Sequence, residues 1–283
     1  MRNTIKKAFG TILLTAVVAG ITSMAQSLPN KADSLHYEIL MSSKMLDSIH
    51  FNEKFIKYVD ITPHRLVLLS TSDQFYLLGW GGIVPLGKKI TGKIYSYAIT
   101  PDGLLMAVNN DRLGVFDSLG NLSTLYKLPR EEMGISSGKN GMFIYDQNND
   151  HQINMLYVLA KGGKFAHLFG FSTPIHSVVE MTDSILFASD NAVYSYRFAD
   201  KKMKILVALA ENSVIKSIVV DTSGNRIYFS TEDMVFTMKD SKALLVTDKF
   251  GGELKYFNDG LLVFNPGKRI LLRIVGLEGL LVH

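Results

Sequence analysis

The residues of this chain whose types and spacing could do chemistry fall into three sets. Asp146, Asn148, Asp150 and Asn154 stand at positions 1, 3, 5 and 9 of a D-x-[DN]-x-D loop, whose alternate residues converge their oxygens on one hard cation such as calcium. His151 replaces the usual glycine and Asn154 the usual acid, so only two formal charges remain and affinity would be weak. The alternative is a long polar hairpin turn, which Asn and Asp form without any ligand. The second set, Gly134-Ile135-Ser136-Ser137-Gly138, matches the G-x-S-x-G nucleophile elbow. That elbow needs a strand-to-helix turn on a parallel sheet to expose its serine, and neither is legible around it. The seven histidines, at 36, 50, 64, 151, 167, 176 and 283, have no H-x-H or H-E-x-x-H spacing, so no zinc site is legible. No G-x-G-x-x-G or Walker loop occurs, which leaves nucleotide binding without support. Weak calcium is thus the one cofactor to be weighed against none.

The third set is visible only once the chain is aligned on itself. Residues 93–128 form one complete unit of four short apolar runs and three tight turns. Pro101-Asp102-Gly103 joins the first two runs as a hairpin, Pro presetting φ and Gly tolerating positive φ. The second run, LLMAV, is apolar without alternation, so both of its faces should be covered. The unit recurs from about residue 55. Aligning the first hairpin turns puts His64, Gly103, Gly141, Asp183, Gly224 and Gly260 in one column, at intervals of 39, 38, 42, 41 and 36 residues. A period near 40 with four strands per repeat predicts an all-β six-bladed β-propeller with four-stranded antiparallel blades over residues 55–283. The last unit, 251–283, is the shortest, and its outermost strand is either 279–283 or a strand from the lead-in 26–54, where 35–41 and 45–51 are the apolar clusters. A lead-in strand would leave no free edge and is the expected solution.

The run PDG-LLMAV-x4-RLGVFDSLG, residues 101–120, resembles the repeat of NHL-type and gluconolactonase-like six-bladed propellers, strongly over one blade and weakly over the other five. The resemblance implies a fold that hosts many unrelated functions. The loop at Asp146 is similar to the calcium loops between strands of integrin-type propellers. The gluconolactonase-like enzymes hold a divalent metal in the central channel with acidic and amide side chains, which makes a channel-centred metal-dependent hydrolase or lactonase the alternative function.

Two columns of the aligned innermost strands bear on that choice. Ser96, Gly134, Ser177 and Ser217 share one, as expected where wedge-shaped blades converge. One position earlier stand Lys57, Tyr95, Met133, His176, Lys216 and Lys255. Lys57, His176, Lys216 and Lys255 should therefore gather near one mouth of the channel as a positive site for a carboxylate, phosphate or acidic sugar, unless each points to solvent or pairs with a local acid such as Glu253. The acids Asp60, Glu180 and Asp221 fall at the opposite end, which disfavours a metal hydrolase, although Asp111, Asp190 and Asp233 lie on turns facing the basic mouth. Trp80, flanked by glycines, is read as a buried outer-strand aromatic, with an exposed sugar-stacking ring as the alternative.

Arg2, Lys6 and Lys7 precede an apolar run over 8–22, and Ser23-Met24-Ala25 offers small residues before a cut ahead of Gln26, the pattern of a secretory signal peptide over 1–25. Without that segment the basic residues fall from 30 to 27 against 26 acids, so the basic character belongs mostly to the leader and gives no support to nucleic-acid binding. Zero cysteines exclude disulfides and a thiolate metal site. The chain thus reads as an exported, periplasmic or secreted, non-enzymatic binding or scaffold propeller with no membrane span after cleavage, the scaffold form using its blade rims as the interface. Its loop face would engage an envelope protein, an acidic small molecule or a glycan.

Overall fold

The computed structural model describes residues 27–29, 35–51, 53, 56, 58–61, 67–71, 73–79, 82–117, 119–148, 150–160, 163–221, 225–257 and 259–277. It is a β-propeller. Five antiparallel four-stranded sheets follow one another in chain order, spanning 58–86, 94–127, 134–171, 175–208 and 217–247, and are called blades 1 to 5 below. In each, the strands are ordered as in the sequence, and the first is innermost.

The sixth sheet departs from the expected four-stranded form. Glu253–Phe257, Gly260–Asn265 and Ile270–Val275 pair in order, His36–Met41 adds antiparallel to Ile270–Val275, and Ser27–Pro29 adds outside that, giving five strands. The extra strand, Ser27–Pro29, precedes the closing strand in the chain and pairs antiparallel along its outer edge, Ser27 opposite Glu38 and Pro29 opposite His36. Residues 279–283, the other candidate for closure, lie outside the described residues, as do Lys57, His64, Trp80 and the leader 1–25. The second apolar cluster of the lead-in supplies the helix Ser43–Ser48, whose first turn is capped by Ser42 accepting from the Met45 amide at 3.3 Å.

Burial explains why these runs form these strands. Second strands lie inside their blades and are covered on both sides: all six residues of Gly260–Asn265 are buried, and Met106, Ala107 and Val108 of the LLMAV run are buried as that pattern requires. Outermost strands such as Leu122–Lys127 are mostly solvated. In blades 2 to 5 the outermost strand carries a β-bulge at an aliphatic residue, Leu125, Leu168, Leu206 and Val246, which twists the blade edge away from further pairing. Leu40 is the corresponding bulge of His36–Met41, so the lead-in strand stands in the fourth position of the sixth sheet.

The ring is held by apolar cores between neighbouring sheets. Phe75 meets Phe116 edge-on at 5.0 Å between blades 1 and 2, and Phe143, Phe187 and their neighbours fill the junction of blades 3 and 4. At the closure, Met41, Leu46 and Phe51 of the lead-in join Leu262, Phe264 and Leu271 against Ile56, Tyr76, Leu78 and Ile83 of blade 1 and its approach. Tyr76 also donates its hydroxyl to Glu53 at 2.9 Å, and burial first and this bond second push its phenol up to about 12. Leu46 is fully buried there, so Leu46→Ala should cost about 2 to 5 kcal/mol of unfolding free energy in a denaturant titration. A change near zero would show that the lead-in does not close the ring.

Candidate functional site: the crossover mouth of the channel

The innermost strands are tied to one another by serine hydroxyls. Ser96 accepts the Ile135 amide at 3.1 Å, Ser136 donates to the Val178 carbonyl at 2.6 Å, Ser177 accepts the Ile218 amide at 3.3 Å, and Ser217 accepts the Leu254 amide at 3.0 Å. Each bond crosses from one sheet to the next. Three of these serines belong to the small-residue column; in blade 3 that column holds Gly134, where any Cβ would drive into the Tyr145 ring, and Ser136 takes over the bridge. Ser136 is therefore an inter-blade tie, and Gly134–Ser137 is a strand with no helix after it.

Around these ties lies a cavity of about 410 Å³, with apolar and seryl walls. Its polar lining includes His176, Lys216, Glu253, Lys255, Tyr145 and Gln147. Of the four predicted ligand-binding residues, His176, Lys216 and Lys255 thus line one cavity, from three consecutive sheets. Lys57 falls outside the described residues. The other members of its column diverge: Tyr95 hydrogen-bonds the Glu132 carboxylate, and Met133 is fully buried between blades 2 and 3.

Backbone irregularity aims the polar groups. The pairing of blade 4 slips between Ile175 and Ser177, so His176 is the bulge residue of its strand, as Tyr95 is in blade 2. In blade 5 the Lys216 amide donates to the Ser230 carbonyl at 2.8 Å while Ser217 is paired with Ser230, so two residues again face one. A bulge redirects a side chain that regular pairing would fix. Near the mouth the His176 imidazole is half-buried, and burial first and the Lys216 ammonium second hold its pKa below the usual 6.5, with Asp190 opposing. Tyr145 is raised above the ordinary phenol range by burial and by the Glu253 carboxylate. Among the described residues no group of three or more His, Asp or Glu side chains is placed to hold a metal ion.

The acids that bear on a metal site are dispersed. Glu180 accepts from the Asn140 side chain at 2.7 Å, and Asp221 accepts from the Asn225 amide at 3.0 Å. Asp111 pairs with Lys127 at 3.5 Å and Asp233 with Lys268 at 3.6 Å, and Asp190, on the exposed turn between the second and third strands of blade 4, acts on His176 only through its charge.

The loop at Asp146 borders a second pocket, of about 350 Å³, which adjoins the channel at Gln147. Asp146 is 3% exposed and its Oδ2 accepts from the Arg130 guanidinium and, at 2.8 Å, from the Met155 amide. Arg130 also donates to the Ile153 carbonyl at 3.1 Å. Asn148 donates to Glu132 at 3.0 Å, Asp150 is exposed, and Asn154 is buried with its Oδ1 unbonded among the described residues. A cation drawing on these four residues would compete with Arg130 for the Asp146 carboxylate. Arg130 was not singled out by sequence, because it lies 16 residues upstream in the crossover from blade 2 and no spacing rule connects it to the loop.

No family model matches the chain, and no curated protein matches its sequence. Solved structures do resemble it. A gluconolactonase from Xanthomonas campestris superposes with a TM-score of 0.68 at 10% identity, over 89% of this chain and 98% of that one. The extracellular domain of a proposed hybrid two-component system from B. thetaiotaomicron gives 0.58 at 14% identity over 77% of this chain, which spans only 32% of that structure. A chain of the nidogen/laminin complex gives 0.58 at 11% identity, over 71% of this chain and 85% of that one. At these identities the likeness is one of fold, and the fold resemblance to gluconolactonase-like and NHL-type propellers holds.

Arg130 supplies the counter-charge within hydrogen-bonding reach of a buried carboxylate, so Arg130→Met should cost about 3 to 5 kcal/mol in a denaturant titration, and Asp146→Asn in that background should recover part of it. Equal stability of Arg130→Met and the unaltered chain would show that the pair does not matter to the fold.

Proposed function

We propose that this protein is a non-enzymatic binding propeller of the cell envelope whose crossover mouth takes an anionic group, a carboxylate or phosphate type, carried by a small molecule, a glycan or an acidic segment of an envelope protein. The observation that carries the reading is that His176, Lys216 and Lys255, from three consecutive sheets, line one cavity of about 410 Å³. Glu253 is the one acid in that lining among the described residues, so the two ammonium groups leave the cavity lining net positive. A concave, low-dielectric site of one sign concentrates ligands of the other. Export is part of the proposal: it is supported by the basic-then-apolar pattern of residues 2–22 and by the likeness to an extracellular domain. Among the described residues no helix is long and apolar enough to cross a membrane.

A second reading, a hydrolase or lactonase centred on the channel, is favoured by the likeness to the gluconolactonase over 89% of this chain. It calls for a metal, which the protein purified without chelator would then carry in stoichiometric amount. Under the binding reading, calorimetry with sulfate at millimolar concentration should give a saturable heat that the double variant Lys216→Ala, Lys255→Ala loses. Undiminished heat in that variant would place the anion elsewhere, and a bound metal with lactone turnover would replace the binding reading by the enzymatic one.

A further inference from the structure

We infer that anion binding at the crossover mouth is coupled to the uptake of a proton by His176. The inference rests on the reading of that mouth as an anion site and adds its regulation. His176 is the bulge residue of the innermost strand of blade 4 and lines the cavity with Lys216, which arrives from the next blade. The titratable groups acting on the imidazole are Lys216 on that neighbouring strand and Asp190 on the turn of its own blade. Asp190 sits at a positive φ of 53° and accepts the Ile215 amide through its carbonyl at 2.7 Å, which fixes the turn beside the segment carrying Lys216. Lys255, Glu253 and Tyr145 complete the titratable lining. The strand of blade 3 on the other side, Gly134–Ser137, brings no titratable side chain.

In the empty mouth an imidazolium would be half-desolvated and would face an ammonium, and both effects favour the neutral ring, as its lowered pKa reflects. An anion seated between the two cations reverses the larger of the charge interactions, because an opposite charge within about 4 to 6 Å favours the protonated form. His176 therefore titrates at higher pH with the anion bound than without it. The sign follows from linkage: the bound form holds more protons in the window between the two pKa values, so affinity rises as the pH falls through the bound-state value and levels off below the free-state value. The unliganded fold behaves oppositely. Its lowered pKa means that the unfolded chain takes the proton first, so His176 subtracts stability as the pH falls below about 6.5, and a bound anion restores it. A mouth built this way loads in mild acid and unloads as the pH rises.

Calorimetry of the full chain with sulfate tests this, because sulfate does not itself titrate between about pH 5 and 8. At pH 6, titrations in two buffers of different ionisation enthalpy should give different apparent heats, corresponding to a fraction of a proton taken up per sulfate bound. The affinity should fall several-fold between pH 5.5 and 7.5. His176→Gln should lose the buffer dependence whatever its remaining affinity, and the His176 C2 proton should titrate at higher pH in sulfate than in chloride by NMR. Saturable binding with the same heat in both buffers and no pH dependence would overturn the coupling and leave the anion site standing. Buffer dependence that survives in His176→Gln would overturn it in favour of another group. No saturable heat at any pH would remove the anion site and the coupling together.

Discussion

The hydrogen bonds that run from one innermost strand to the next are the constraint on which the site depends. Apolar cores between sheets hold the ring as a whole, but burial is non-directional and fixes spacing only loosely. A serine hydroxyl bonded to a main-chain amide or carbonyl of the next sheet fixes it tightly. Ser96, Ser136, Ser177 and Ser217 make four such bonds in succession, from blade 2 to the sixth sheet. Each also satisfies a backbone group that the innermost strand, an edge within its own blade, would otherwise leave without a partner. The same atoms therefore solve a backbone problem and set the bore of the channel.

The electrostatics of the mouth follow from that spacing. With adjacent blades tied at Ser177 and Ser217, the residue preceding each serine, His176 and Lys216, is carried to the same rim, and bulges at both positions release those side chains from regular pairing. Two basic groups brought close in a partly buried cleft oppose each other's charged forms, and the imidazole is the one that can yield near neutral pH. At the Asp146 loop the same pressure is resolved differently. There a carboxylate is buried almost completely and the chain supplies a guanidinium against it.

Much of this was legible in the sequence. The unit over 93–128 announces its strands because Pro101-Asp102-Gly103 and the uniformly apolar LLMAV run fix a hairpin and a doubly covered strand, and the ring follows from its repetition. The closing strand was legible as one of two lead-in clusters, and the antiparallel pairing of His36–Met41 with Ile270–Val275 decides between them, the other cluster forming the helix Ser43–Ser48. The five-stranded form of the sixth sheet was not legible, since Ser27–Pro29 is too short to signal itself. The basic column holds its register at His176 and Lys216, but Lys255 stands two residues beyond the serine position of its strand, since Ser217 receives the Leu254 amide and Glu253 pairs with Phe264, while Met133 turns into a core and Tyr95 turns to Glu132. A repeat alignment gives a residue's place along a strand; the side to which it points depends on local bulges that no column records. The serine column was read as a matter of space, whereas its hydroxyls form ties.

The most direct test of the account is hydrogen exchange of the three amides that the serines receive, those of Ile135, Ile218 and Leu254, in the full chain under native conditions. If the inter-sheet ties set the channel, these amides exchange only through global unfolding, with protection equal to that of the central strands such as Gly260–Asn265. Exchange as fast as that of exposed turns would contradict it, because the innermost strands would then part freely and would not hold His176 and Lys216 at one mouth.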